Sequence, residues 1–129
     1  MTETARSSHA PALRLSALLA AAGVMHFVAP KPFDAIVPRA LPGDPRSWTH
    51  LSGIAELAVA AAVATPSTRR LGALAAAALF TAVFPANVRM ARDWKSKPRP
   101  LRLAAQARLP LQVPLILWAL WVARKAGQP

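Results

Sequence analysis

The chain contains no cysteine. That excludes structural disulfides, thiolate metal sites and a membrane dithiol oxidoreductase of the CxxC type. Acidic residues are scarce, five Asp and Glu against sixteen Lys and Arg, for a formal net charge of +11. Aromatic residues make up only 6% of the chain although 54% is hydrophobic, so the apolar content rests on Ala, Leu and Val. Recurring polar positions are missing from stretches such as "LAVAAAVA" and "LGALAAAALFTAV". A helix of a soluble bundle would place a polar residue every three or four positions there. Segments apolar all round call for lipid as the solvent.

Four such blocks are present, Leu13 to Ala29, Trp48 to Thr65, Leu71 to Ala91 and Leu109 to Val122. Each is close to the roughly 20 residues that cross a bilayer. They predict an all-α fold: an integral membrane four-helix bundle in one domain spanning residues 1–129, with helices at approximately 12–29, 48–65, 71–91 and 108–124. The first block, "LRLSALLAAAG", has the layout of a secretory signal peptide. The histidine and prolines that follow it, and three further spans, favour its retention. "TPSTRR" is short enough to make the second and third helices antiparallel neighbours. The connection "PKPFDAIVPRALPGDPRSW" is stiffened by prolines into an ordered cap, with a short interfacial helix at "FDAIV".

The basic residues lie between apolar blocks and form no continuous face, which argues against nucleic acid and for anionic lipid headgroups. "RDWKSKPRPLRLAAQA" carries Arg92, Lys95, Lys97, Arg99 and Arg102, each worth about 1 kcal/mol of attraction near an anionic surface. Lys31, Arg39, Arg46 and that cluster share one side of the membrane. Arg6, Arg14, Arg69, Arg70, Arg124 and Lys125 share the other. The positive-inside rule favours the cytoplasm for the two long loops by a modest margin. Trp48 and Trp94 fall at one interface, and Trp118 and Trp121 at the other, as membrane anchors. Alanine and arginine richness adds a hint of bacterial origin, giving a multi-pass protein of a bacterial inner membrane.

Polar residues placed by depth are not scattered. His26 stands at the exit of the first helix, and Glu56 about two turns, or ~12 Å, into the second. Asn87 and Arg89 close the third after Pro85, and Arg108 and Gln112 open the fourth one turn apart, with Pro85 and Pro114 placed to open carbonyls or kinks beside them. Because the helices alternate in direction, all six occupy one half of the bilayer. Gly23 and Gly53 stand three residues before His26 and Glu56 on the same helical faces, where small residues let backbones approach.

A one-sided polar chamber capped by the first loop is the expectation. A carboxylate or guanidinium alone in mid-bilayer costs about 2.5 to 3.5 kcal/mol, so Glu56 is expected to pair with Arg108 or Arg89. His26, Asn87 and Gln112 would complete the hydrogen bonds. Such a pair serves either to fix helix register or to handle a ligand or protons. Asp34 and His50 read as loop-side polar groups without a special role, and no catalytic residue or metal site is assigned.

The succession "GVMHFVAPKPFDAIVPRALP", "SGIAELAVAAAV" with a paired-basic turn, "FPANVRMA" and "RLPLQVPLILWAL" resembles the DoxX-like family of small membrane proteins, from about Gly23 to Trp121. The resemblance implies four transmembrane helices in one compact bundle. It draws attention independently to His26, Glu56, Asn87, Arg108 and Gln112. It also implies a quinone-linked redox role, since members are subunits of quinol-oxidase and thiosulfate:quinone oxidoreductase systems, whereas other similar proteins are assembly chaperones or cargo receptors.

No haem-ligand pair, flavin fingerprint or Rossmann loop is present, so a bound quinone or a partner subunit would have to carry electrons. The expected function is a binding or accessory subunit for a quinone-like or lipid ligand. The alternative is a non-enzymatic membrane chaperone that binds a client transmembrane helix. A proton-coupled transporter is disfavoured because no inverted repeat is evident. The expected partners are anionic lipids and a membrane protein or second copy of the chain.

Overall fold

Proline decides where most of the helices begin and end. In the computed structural model, which describes the backbone of residues 3–127 and the side chains of residues 9–127, α1 (Glu3–Val28) stops two residues before Pro30, as the restriction on the residue preceding a proline requires. A single turn, α2 (Lys31–Asp34), follows. It begins two residues earlier than the sequence implied and takes in only Phe33 and Asp34 of "FDAIV". Gly43, at φ 85°, turns the chain into α3 (Pro45–Ala64). There Pro45 takes a first-turn position that needs no donor, and the Asp44 side chain accepts from the Arg46 amide at 3.2 Å. The Arg6 side chain lies outside the described residues.

A 3-10 turn, Pro66–Thr68, leads into α4 (Arg69–Ala82), and α5 (Phe84–Asp93) continues it after an interruption at Val83. The third predicted span is thus two helices. Pro85 has no N–H to give the carbonyl of Thr81, so the ladder breaks just before it. The last helix, α6 (Arg99–Ala126), begins nine residues before the predicted start at 108. Pro100 sits in its first turn, and "LRLAAQA" consists of strong helix formers. Much of the basic third loop is therefore helical. Pro11 in α1 and Pro110 and Pro114 in α6 lie inside helices that run on through them.

All the described regular structure is helical, and α1, α3, the α4–α5 pair and α6 lie side by side. α1 packs on α3, α3 on α4, α4 on α6, and α6 returns to α1, while α2 rests on α3. The core at the end holding the start of α1 is dry: Leu15, Leu19, Val63 and Val122 are its largest fully buried side chains, with alanines of α4 and α6 between them. Small residues allow this closeness. A Cβ on Gly72 would lie 2.7 Å from the Val63 amide nitrogen, and one on Gly53 would lie 2.8 Å from the Cβ of His26. The Ser16 hydroxyl donates to the Ala60 carbonyl at 2.7 Å, tying α1 to α3.

Three segments, His9–Val28, Pro66–Asp93 and Arg99–Ala126, are long and apolar enough to cross a membrane. α3, which carries His50 and Glu56, is not among them. The exterior carries exposed apolar side chains around its girth, among them Leu18, Ile54, Leu71, Val113 and Leu117. Soluble monomers rarely show apolar surface on this scale.

Candidate functional site

The half of the molecule opposite the dry core holds a cavity of about 240 Å³. Its floor lies between α3 and the α4–α5 break, and its roof is α2 with the residues that follow. His26, Glu56, Asn87 and Arg108 line it together with the aromatic rings of Phe33 and Trp48. Four of the six predicted polar residues therefore meet around one space. Gln112 and Arg89 do not line it.

His26 is 7% exposed and held on three sides. Its Nδ1 is 2.6 Å from the Ala22 carbonyl, one turn back in α1. A carbonyl only accepts, so Nδ1 carries the proton and donates it there. The ring stacks on Phe33 with centroids 3.8 Å apart and planes at 20°. Glu56 Oε2 approaches the same Nδ1 at 3.4 Å. Because the Nδ1 proton is directed at Ala22, Oε2 gains proximity without a hydrogen bond, and it is a buried oxygen with no hydrogen-bond partner.

The expected pairing of Glu56 with Arg108 or Arg89 does not form. Arg108 faces the same cavity, but its Nη1 lies against Met90 Sδ at 3.6 Å. Arg89, beyond the break, turns away: Nε donates to Asp93 Oδ2 at 3.3 Å and Nη1 donates to the Val37 carbonyl. One turn of helix separates Arg89 from Asp93, and that local partner is cheaper to reach than Glu56.

Gln112 is buried beneath the cavity and donates from Nε2 to the Phe80 carbonyl at 2.7 Å. That carbonyl lies in the last turn of α4, where helices leave acceptors without intrahelical donors. Gln112 thus ties α6 to the broken helix. Asn87, 3% exposed, stands in the first turn of α5 and lines the cavity. Gly23 and Gly53 are where α1 and α3 come closest: a Cβ on either would be 3.1 Å from the other's carbonyl oxygen. This approach brings His26 and Glu56 together.

Two groups with larger roles than the sequence suggested hold the frame. Asp34 Oδ1 accepts from the Thr49 hydroxyl at 2.6 Å, and Oδ2 accepts from Arg46 Nε at 2.8 Å, latching the roof to the start of α3. Burial works against the charged form of Asp34, but the Thr49 bond, then Arg46 and His50, outweigh it and hold the carboxyl below its ordinary value. Separations of 12 and 15 residues across a proline-rich loop leave no periodic signal. His50 stacks on Phe27 at 5.0 Å.

At the other end, buried Arg69 donates from Nε to the Val63 carbonyl at 2.8 Å and from Nη2 to Ala64 at 3.0 Å. Its Nη1 lies 3.3 Å from His9 Nδ1. An arginine just past a helix end is the sequence signal for such a cap. Among the described residues no group of three or more His, Asp and Glu could hold a metal ion.

Residues 15–123 match the model of a family described as a domain of unknown function, DUF8561, and the chain belongs to that family. No curated protein matches the sequence, and no solved structure matches it.

Proposed function

We propose that this chain is a DoxX-like integral membrane protein with four spans, and that the cavity binds a quinone-like headgroup as part of a binding or accessory subunit in a redox-linked complex of a bacterial inner membrane. The observation that carries this reading is the unpartnered Oε2 of Glu56, buried at the wall of a cavity that also presents Asn87 and Arg108. A buried carboxylate oxygen without a donor is costly, and a hydroxyl group in the cavity would supply one.

The residues fit such a ligand. Glu56 accepts from a hydroxyl, and Asn87 and Arg108 donate to an oxygen on the far side of a ring. Phe33 and Trp48 provide flat apolar walls. A quinone supplies two-electron chemistry coupled to protons. The chain's part is to bind, orient and exchange protons: Glu56 takes one from the ligand's hydroxyl, with the His26 ring packed beside its carboxyl at 3.4 Å.

α3 makes a fourth span in this reading. Its 20 residues reach about 30 Å. Its outward residues include Leu51 and Ile54, while Thr49 is buried and Ser52 and Glu56 line the cavity. Polar groups turned inward cost little against lipid.

The test is native mass spectrometry of protein gently extracted from its own membrane, wild type against Glu56→Gln. A bound small molecule that is lost in the variant supports the reading. A co-purifying polypeptide with no small molecule bound overturns it in favour of a membrane chaperone that engages a client helix.

A further inference from the structure

At the end opposite the cavity, α4 and α6 run antiparallel and carry one motif in opposite senses. Arg70 is followed by Leu74 on α4, and Arg124 is preceded by Leu120 on α6. Both pairs have the four-residue spacing that stacks side chains on one helix face. These four residues, with Ala123 and Gly127, line an open depression of about 340 Å³. The two arginines share its outer level, and the two leucines share a level about 6 Å deeper. Leu74 and Leu120 are 42% and 43% exposed, so the floor is apolar and accessible.

Arg70 is held in place, and neither arginine is neutralised by a described residue. A Cβ on Gly127 would lie 3.3 Å from Arg70 Nε, which places that guanidinium against the end of α6. Neighbouring Arg69 spends its donors on the carbonyls that end α3. Arg70 and Arg124, by contrast, form no hydrogen bond or ion pair among the described residues. Among the described side chains, the carboxylates of Asp34, Asp44, Glu56 and Asp93 all belong to the other half. Trp121, with Lys125 Nζ 5.8 Å from its ring centroid, is an exposed indole of the kind that settles among headgroups. Arg124, three residues further along α6, stands about 4.5 Å further out, at the level of lipid phosphates.

The geometry points to a binding site for an anionic glycerophospholipid, with its phosphodiester between Arg70 and Arg124 and an acyl chain along Leu74 and Leu120. Guanidinium forks match phosphate oxygens in charge and shape, and the leucine floor distinguishes a lipid from a free anion. A chain of net charge +11 attracts anionic lipid everywhere on its basic rims. This site adds two converging donors and an apolar track.

The experiment is native mass spectrometry of the full chain in phosphatidylcholine-containing micelles with phosphatidylglycerol as the probe. R70Q and R124Q should each lower phosphatidylglycerol retention about fivefold, and the double variant more than tenfold. R14Q, which removes an exposed charge from α1 in the same half, should leave retention unchanged. Both pocket arginines are exposed, and R70K/R124K, which keeps the charges but loses the forks, should bind better than R70Q/R124Q and less well than wild type. Unchanged retention in the double variant, or an equal loss in R14Q, would overturn the proposal. So would displacement of the lipid by inorganic phosphate, which would make the site one for free anions. None of these readouts depends on the cavity at the other end.

Discussion

His26 and Glu56 meet with Nδ1 3.4 Å from Oε2, yet the proton on Nδ1 is spent on the Ala22 carbonyl at 2.6 Å. The carboxylate therefore has a neighbour and no hydrogen bond. Such a group is retained at a cost to stability, and its removal separates that cost from its use. Glu56→Gln should change stability by less than about 1 kcal/mol while lowering ligand occupancy at least tenfold. His26→Leu should destabilise by about 1 to 3 kcal/mol, because it loses the stacking on Phe33 and sets an apolar side chain against the buried carboxylate, and the double variant should recover part of that loss. Thermal unfolding of the four proteins in one detergent completes the cycle, and strictly additive effects would contradict the coupling.

The latch between Asp34, Arg46 and Thr49 makes stability depend on acid. The folded carboxyl lies below its ordinary value of 3.8, so its contribution is fully present above that value. It is lost as pH falls through the lower folded value. The stability difference between wild type and Asp34→Asn should be constant above about pH 5 and shrink below pH 4. Unfolding midpoints measured across that range test the sign, and a difference that grew on acidification would refute it.

Close backbone approach at three glycines should give a ranked series. In Gly72→Ala the new methyl meets the backbone of Val63 and Ala62, neither of which can swing away; a loss of about 2 to 3 kcal/mol is expected. Gly53→Ala meets the Cβ of His26 and the ring of Phe27, and should also displace the cavity wall. Gly23→Ala meets the Leu57 side chain first, which can change rotamer, so it should cost least. Unfolding midpoints in detergent give the order.

Gln112 and Asn87 are both buried amides, and the structure separates their duties. Gln112→Leu leaves the Phe80 carbonyl without its donor and should destabilise by about 1 to 3 kcal/mol, with little change in ligand occupancy per folded molecule. Asn87→Ala, at the cavity wall, should lower occupancy more than stability. Parallel unfolding and native mass measurements on the two variants decide it.

Helicity, the apolar blocks and the half of the molecule in which polar residues gather were legible in the sequence, because hydropathy and helical rise are local properties that add along the chain. The close approach at Gly23 and Gly53 was legible for the same reason: small residues and polar groups three positions apart share a face. Proline effects were only partly legible. Pro85 and Pro114 both suggest kinks or opened carbonyls beside the polar cluster; Pro85 goes further and divides a helix, whereas Pro114, like Pro110, leaves α6 continuous.

Partner choice belonged to tertiary structure. Glu56 faces His26 and not an arginine because α1 and α3 touch at their glycines while Arg89 sits beyond the break at Val83, within reach of Asp93. Gln112 satisfies Phe80 because that break exposes a carbonyl. Asp34 and Arg69, given no site role from sequence, became fastenings once the loop folded back on α3 and the turn brought Arg69 against the end of the same helix. Composition determined which groups must avoid lipid; only the rotations and breaks of the helices decided which atoms they found, because a hydrogen bond depends on tenths of an ångström that no linear pattern carries.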